Sequence, residues 1–292
     1  MKEPRTIDDK KNPEAMKRNM KVTTIACLFA LLSAGVMNAQ DEAQPVMPAF
    51  ETLTLVNVQT TANPYKGQMI LEIQHRFSEI KEIADLFGIY GSANTRIGMS
   101  YGITDKIMLA FGTTRNYKLQ DLEWKYSILT QNSKLPISLS YHGNAVLDAR
   151  SSKYFGPEED YQFAYRMSYL NELLVSTRIG NKVSLQVAPA FVYFNAVPEG
   201  YNNVNAAVNV AGRFQVLGFH SIILEYDQPL IKSDMDVYPN LALGLEIGTS
   251  THSFRIFASN YNSIVRNQDI AFNSNNAFDG GLRFGFNITV RF

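Results

Sequence analysis

The chain has 292 residues, of which 12% are aromatic and 18% are charged, and its 27 basic and 27 acidic residues give a net charge of zero. A neutral chain has no basic field that would attract nucleic acid and no acidic tract typical of disorder. The composition therefore argues against a nucleic-acid-binding protein and against a disordered one.

The N-terminal region has the three parts of a secretory signal. Lys17, Arg18 and Lys21 precede an apolar run at 22–36, which ends in small and polar residues around Ala39. A run of about fifteen residues is short for a helix that must cross roughly 30 Å of hydrocarbon, so a transmembrane anchor is the weaker interpretation. We predict a signal peptide at 1–39, cleaved after Ala39.

The same region bears on redox chemistry and on the start of translation. Met16 or Met20 is the better start, because the basic residues then directly precede the apolar run. Cys27, the sole cysteine, lies inside that run and would be lost on cleavage, which leaves no thiol for a disulfide, a zinc site or a nucleophile. A lipoprotein attachment at Cys27 is the open alternative.

Beyond the signal, the prolines Pro45, Pro48 and Pro64 flank a single stretch at 52–59 that is compatible with a strand. From residue 67 onwards, apolar and polar side chains alternate with period two, which is typical of β-strands with one apolar face. In the first such segment, Leu71 and Ile73 share one face, whereas Glu72 and Gln74 share the other. About twelve strands are predicted, at 67–77, 93–101, 107–113, 121–129, 137–145, 163–179, 183–194, 204–216, 221–227, 240–248, 252–260 and 281–292.

The connections between these strands alternate in length. Short turns such as 180–182 and 249–251 alternate with long loops such as 147–160 and 261–279, so that short and long connections fall at opposite ends of the strands. An even number of strands with this alternation is typical of bacterial outer-membrane barrels. We predict an all-β fold, an antiparallel transmembrane β-barrel over 67–292, with short periplasmic turns and long extracellular loops.

A soluble β-sandwich also alternates apolar and polar residues, and the charged residues help to separate the two folds. Charged side chains recur in the middle of the strands, out of phase with the apolar set, as a wet lumen would allow. Eight basic and five acidic residues form this predicted lumen set, which favours a weakly anion-preferring pore. The set is Arg76, Arg96, Lys125, Arg166, Arg178, Arg213, Arg255 and Arg283 with Glu72, Glu123, Glu172, Glu225 and Glu246.

The last strand gives the second argument for a membrane barrel. Leu282, Phe284, Phe286 and Ile288 continue an apolar face that ends at the final residue, Phe292. Such a strand would be an aggregation hazard at the edge of a soluble sheet. We interpret Phe292 as the signal read by the outer-membrane insertion machinery, and we expect this machinery and outer-membrane lipid to be partners. Ile97, Val208 and Phe284 are expected to face lipid.

Residues 40–66 are assigned outside the barrel, as a periplasmic or plug segment. A strand or a segment tucked into the lumen remains open for the same residues. If the segment plugs the periplasmic mouth, its removal would raise conductance.

Several short stretches resemble a family of outer-membrane barrels of unknown function from Bacteroidota. The resemblance implies a barrel and an outer-membrane location, and it covers nearly the whole mature chain. The family carries no established activity, so the resemblance supplies no site residues. The matching stretches are Thr54-Leu55-Val56-Asn57, Lys66-Gly67, Gln74-His75-Arg76-Phe77, Asp85-Leu86-Phe87-Gly88, Tyr101-Gly102-Ile103-Thr104-Asp105 and Phe284-Gly285-Phe286-Asn287-Ile288.

The sequence has no phosphate loop, dinucleotide fingerprint, Gly-x-Ser-x-Gly elbow or paired-His metal motif. Ser138, Ser140, His142 and Asn144 would all point into the lumen from one strand, which suggests an esterase. Neighbours at i and i+2 are nearly 7 Å apart, however, which is too far for a hydrogen bond. We predict no catalytic, cofactor-binding or metal site.

The predicted function is a narrow small-solute pore or a structural or scaffold component of an outer-membrane assembly. The alternative is a barrel enzyme, a lipid or peptide hydrolase. The solute and any protein partner are not specified by the sequence.

Overall fold

The computed structural model describes residues 44–81 and 88–292, and the predicted signal peptide lies outside this range. The described residues form twelve antiparallel strands in a closed barrel, in which β1 pairs with β12. This confirms the predicted fold class. The strands are β1 (Met69–Glu79), β2 (Asn94–Gly102), β3 (Ile107–Thr114), β4 (Leu119–Leu129), β5 (Ser138–Asp148), β6 (Met167–Ile179), β7 (Val183–Phe194), β8 (Val204–Leu217), β9 (His220–Pro229), β10 (Asn240–Gly248), β11 (His252–Ser259) and β12 (Arg283–Arg291).

Each strand presents alternate residues to opposite sides of the wall. In β7, Ser184 and Gln186 are buried inside the barrel, whereas Leu185 and Val187 are 38% and 39% exposed on its outer surface. Ile97 and Val208, which the sequence assigned to lipid, also lie on the outer face. The alternation follows from the pleat of a strand, in which neighbouring side chains point to opposite faces.

The connections divide the barrel into two rims. The five short connections, at 103–106, 130–137, 180–182, 218–219 and 249–251, form one end, here called the turn rim. The connections at 80–93, 115–118, 149–166, 195–203, 230–239 and 260–282 form the other end, here called the loop rim. Within the described ranges, no helix is both long and apolar enough to cross a bilayer.

Aromatic side chains lie on the outer face near both rims. Tyr101 and Phe214, near the turn rim, are 44% and 40% exposed, and Tyr193, near the loop rim, is 38% exposed. Phe292 follows β12 directly and donates its backbone N–H to the carbonyl of Met69, at 2.9 Å. Aromatic belts of this kind are typical of the two interfaces of a bilayer.

The lumen is occupied by two further parts of the chain. Residues 49–60, here called the lumen segment, enter from the turn rim, and most of their side chains are buried. A helix from the last long loop, α1 (Arg266–Phe272), enters from the loop rim with five of its residues buried. Of the alternatives left open for 40–66, a segment tucked into the lumen describes residues 49–60.

Candidate functional site

The lumen wall carries almost all of the predicted charged residues. Of the thirteen residues of the predicted lumen set, twelve lie on strands and are buried. These twelve are Glu72, Arg76, Arg96, Glu123, Lys125, Glu172, Arg178, Arg213, Glu225, Glu246, Arg255 and Arg283.

Arg166 is the exception, and its predicted position in a strand is wrong. The residues Phe163–Arg166 form a 3-10 turn, so β6 begins only at Met167. Arg166 therefore lies at the loop rim, where its guanidinium donates to the carbonyl of Asp148 at 2.9 Å and to the hydroxyl of Tyr161. The sequence predicted a strand here because aromatic and other residues also alternate along 163–166.

The charge of the wall also differs from the prediction. Asp121, Asp148 and Asp227 are buried on the inner face, and the sequence analysis did not count them. The buried charged residues of the strands are thus seven basic and eight acidic, which removes the predicted positive excess. They are Glu72, Arg76, Arg96, Asp121, Glu123, Lys125, Asp148, Glu172, Arg178, Arg213, Glu225, Asp227, Glu246, Arg255 and Arg283.

Asp121 could have been found from the sequence, because it has the same phase in β4 as Glu123 and Lys125. In the structure its carboxylate pairs with Arg96 at 2.5 Å, and the same guanidinium contacts Glu123 at 2.6 Å. The wall therefore neutralises its own charges locally, as the burial of ionised groups requires.

The lumen segment folds into a tight hairpin whose tip is bound by one carboxylate. The backbone N–H of Leu55 donates to the carbonyl of Val58 at 3.0 Å, which closes the turn. The N–H groups of Val56, Asn57 and Val58 all point at the Glu225 side chain, at 2.5 to 3.2 Å. Hydrogen bonds to an ionised acceptor are about twice as strong as neutral ones. Glu225 is therefore the main polar anchor of the hairpin tip.

The sides of the hairpin are held by further charged groups of the wall. Lys125 donates to the side chain of Gln59 and to the carbonyl of Thr60, each at 3.0 Å. On the opposite side, Arg255 contacts Thr54 and pairs with Glu72 at 2.6 Å. These contacts to the segment are hydrogen bonds and an ion pair that water could replace.

Apolar contacts supplement this polar network. Phe50, Leu55 and Val56 of the segment pack against a cluster that includes Ile223 and Phe257 of the wall. The inner face of the barrel is therefore not uniformly polar. This patch explains how a segment rich in apolar residues can be buried in a lumen lined by charges.

Helix α1 is fixed in the lumen by its first residue. Arg266 binds the two oxygens of Asp227 at 2.8 Å each, and it also pairs with Glu172. The next residue, Asn267, donates to Ser168 at 3.0 Å. All of these wall residues belong to β6 and β9, and α1 packs against the side of the wall formed by β6 to β9.

The lumen segment and the last long loop meet near the centre of the barrel. The side-chain amide of Asn57 donates to the carbonyl of Ser263 at 3.0 Å and to the carboxylate of Asp269 in α1. Burial raises the pKa of Asp269 well above its usual range. The two elements thus touch each other directly, and together they obstruct the lumen from both rims.

His142 links the wall groups that hold the two elements. Its Nδ1 lies 3.0 Å from Glu172, which binds α1, and its Nε2 lies 3.2 Å from Glu123, which binds Gln59 of the lumen segment. Because both ring nitrogens face carboxylates, the arrangement suits the doubly protonated ring, in which both nitrogens donate. His142 thus links the wall residues that contact the two obstructions.

The four residues that suggested an esterase do share the inner face of β5. Ser138, Ser140, His142 and Asn144 are all buried there. Among the described residues, the hydroxyl of Ser140 has no hydrogen-bond partner, and His142 is engaged by two carboxylates. No group of three or more His, Cys, Asp or Glu in the described part of the chain is arranged to hold a metal ion.

The unfilled space in the barrel is small beside the hairpin tip and large at the loop rim. An internal cavity of about 20 Å³ lies between the hairpin tip, His142 and α1, which is room for about one water molecule. Above α1, a pocket of about 690 Å³ lies among the long loops and is here called the vestibule. Sequence reasoning missed it because the pocket is formed by four separate connections.

A closed antiparallel barrel with an apolar outer face and a polar lumen defines an outer-membrane β-barrel protein. Residues 50–292 match the model of a family described as "Membrane bound beta barrel domain (DUF5777)", and the chain belongs to this family. The match begins inside the lumen segment, so the family model includes nearly all of that segment as well as the wall.

Solved structures of outer-membrane proteins are similar to this chain in fold. A NanC porin matches with a TM-score of 0.50 and 8% identity, over 76% of this chain and 98% of that chain. A KdgM porin has a TM-score of 0.46 and 11% identity over 76% and 99%. Outer membrane phospholipase A from Escherichia coli has a TM-score of 0.41 and 12% identity over 79% and 94%. No curated protein sequence matches the chain significantly.

Proposed function

We propose that this outer-membrane barrel is a channel for small solutes that the lumen segment and α1 hold closed. The observation that carries the proposal is the chemistry of the obstruction. Both elements contact the wall through ion pairs and hydrogen bonds, such as those of Glu225 and Arg266, in addition to their apolar contacts. Displacing them would expose charged wall to water, which hydrates it, whereas displacing an apolar core would not be compensated in this way.

The proposal is tested by loosening the hairpin tip. In Glu225→Gln, one carboxylate that accepts three backbone N–H groups is replaced by an amide with a single oxygen acceptor. We expect planar-bilayer recordings of the variant to show more frequent and longer openings than the unmodified chain.

Glu79→Gln is the matched control. Glu79 is also a glutamate of the wall, but it pairs with Arg283 at the loop rim, at 3.7 Å, and within the described ranges it contacts neither the lumen segment nor α1. Its recordings should equal those of the unmodified chain. Equal behaviour of the two variants would contradict a gating role for the hairpin. A barrel that stays silent in every variant would favour a scaffold role.

The proposal also includes export. Gln44 and Pro45 contact Ser133 and Asn132 in a turn at the turn rim, so the chain enters the lumen from the side that is periplasmic in such barrels. We expect removal of residues 1–39 and a mature N-terminus at Gln40, which would lie near this rim. Mass spectrometry of the protein extracted from outer membranes tests this, and an intact terminus at Met1, Met16 or Met20 would refute it.

Two narrower statements belong to the same proposal. The resemblance of stretches such as 74–77 and 101–105 supports a source among the Bacteroidota.

The proposed function involves no catalysis, and the engagement of His142 by Glu123 and Glu172 supports this. A loss of lipid or peptide hydrolysis in His142→Ala, measured on the purified barrel, would contradict it.

A further inference from the structure

The vestibule has the dimensions and the position of a ligand site. Its volume of about 690 Å³ lies within the range of small-molecule pockets, roughly 300–1,000 Å³. Gln268 and Phe272 of α1 line it from below, and the loops 149–166 and 195–203 form its sides. A solute that entered the barrel from the loop rim would meet this pocket before it met the obstruction.

The charged groups that line the vestibule favour an anion. They are Arg150, Arg166 and Asp148, which leave a net charge of plus one. Arg150 binds Asp148 through Nε and Nη2, at 2.6 to 3.0 Å, and Arg166 uses its Nε and Nη1. Within the described ranges, Nη1 of Arg150 and Nη2 of Arg166 have no hydrogen-bond partner. Each guanidinium therefore keeps a donor for a ligand.

Aromatic rings hold these guanidinium groups in place. The Cζ atom of Arg150 lies 4.3 Å from the ring centre of Tyr117 and 4.8 Å from that of Tyr154. The Cζ atom of Arg166 lies 5.0 Å from the ring centre of Phe155. Planar guanidinium groups stack on aromatic faces and bind carboxylates through paired donors. The pocket thus combines fixed cations with ring surfaces.

A second group of rings lines the part of the vestibule next to α1. Phe272 of the helix packs edge-on against Phe194 and Tyr201, with ring centres 4.9 and 5.0 Å apart. A ligand that reached α1 would therefore contact aromatic surface at one end and arginine donors elsewhere in the same pocket. This arrangement suits a flat molecule with one anionic group.

We infer that the vestibule binds a small monoanion with a planar ring, an aromatic carboxylate in chemical class. The inference rests on the proposed channel function, for which the vestibule is the entry site. The carboxylate takes the free donors of Arg150 and Arg166, and the ring stacks among the aromatic side chains. The floor of the site is α1, so a bound solute lies directly against the element that closes the lumen.

The test is isothermal titration calorimetry on the full chain in detergent with 4-hydroxybenzoate. We expect saturable binding that is stronger than that of cyclohexanecarboxylate, which has the charge without the planar ring, and of benzyl alcohol, which has the ring without the charge. Equal binding of 4-hydroxybenzoate and cyclohexanecarboxylate would refute stacking. Equal binding of benzyl alcohol would refute recognition of the anion, and no binding would refute the site.

Two variants locate the site. Arg150→Gln should weaken binding by roughly tenfold, as the loss of a charge-assisted hydrogen bond implies. Tyr154→Ala, at a side chain that is 58% exposed and therefore removable without harm to folding, should weaken it less. The control Arg115→Gln changes an exposed arginine at the same rim outside the vestibule and should bind normally. If neither Arg150→Gln nor Tyr154→Ala weakens binding, the solute binds elsewhere and the inference is wrong.

The binding assay is independent of the conductance assay. If the barrel binds 4-hydroxybenzoate in the vestibule and never conducts, the binding site is supported and the proposed channel is refuted. If the barrel conducts after release of the lumen segment and does not bind the solute, the channel is supported and the binding site is refuted.

Discussion

Release of the lumen segment and α1 together is expected to turn a nearly silent barrel into a conducting pore. The variant combines a deletion of 49–60 with Arg266→Ala. Removing Arg266 leaves Asp227 without its buried partner and Glu172 with His142 alone, a change that typically costs about 3–5 kcal/mol, and α1 should leave the lumen. Single-channel recording in planar bilayers measures the effect.

The two single changes are the controls for this experiment. Each leaves one obstruction in place, because the segment enters from the turn rim and α1 from the loop rim. We expect smaller or shorter openings from either single variant than from the double variant, which should give clear and sustained current steps. The sequence alone predicted that removal of the N-terminal segment would raise conductance, and the position of α1 limits that increase.

The open pore should show weak ion selectivity. The wall carries seven basic and eight acidic buried residues, so neither sign dominates the lumen. Strong selectivity for cations or anions in the double variant would contradict this assignment of the wall. A double variant that inserts correctly and remains silent would overturn the channel proposal.

The second large effect is expected at the outer face, where Leu245→Arg should prevent stable folding into bilayers. Leu245 is 56% exposed near the middle of β10, and its neighbours across the sheet are Ile222 and Ile256. Arginine at the bilayer midplane costs roughly 2–4 kcal/mol on the lipid face, which lowers the folding equilibrium constant by about 30-fold or more. Urea titration of folding into lipid vesicles measures this constant.

Val204→Arg is the matched control, because it places the same charge on the same face at a different depth. Val204 is 39% exposed and begins β8 at the loop rim, where the cost falls to about 0–1 kcal/mol. The two variants should therefore differ clearly in the urea concentration at which they unfold. Equal losses at both positions would mean that the outer face does not contact lipid in the assigned way.

The barrel wall was predictable because its signals are local. The period of two in segments such as 183–194 and 240–248 defines strands whose ends agree with β7 and β10 in the structure. The alternation of short and long connections then gives the antiparallel order. The inner position of residues such as Arg213 and Glu246 follows from the same pattern, because phase along a strand determines the face.

The contents of the lumen were decided by tertiary structure. Residues 49–60 and α1 have no repeating pattern that relates them to the wall, and their partners lie far away in the chain, as with Asn57 and Asp269. The single strand-like stretch at 52–59 allowed several positions. Only the closed barrel brings Glu225 and Arg255 to the hairpin, and the free energy of burying its apolar side chains then favours the lumen.

The sequence by itself thus determined a twelve-stranded barrel with charged residues inside and apolar residues outside, because the geometry of a strand converts a local pattern into two faces. Tertiary structure decided that the lumen is closed, that the wall is nearly neutral, and that Arg166 lies at the rim with Arg150 in the vestibule. These features depend on which distant groups meet inside the barrel, and the pattern along a single strand does not contain that information.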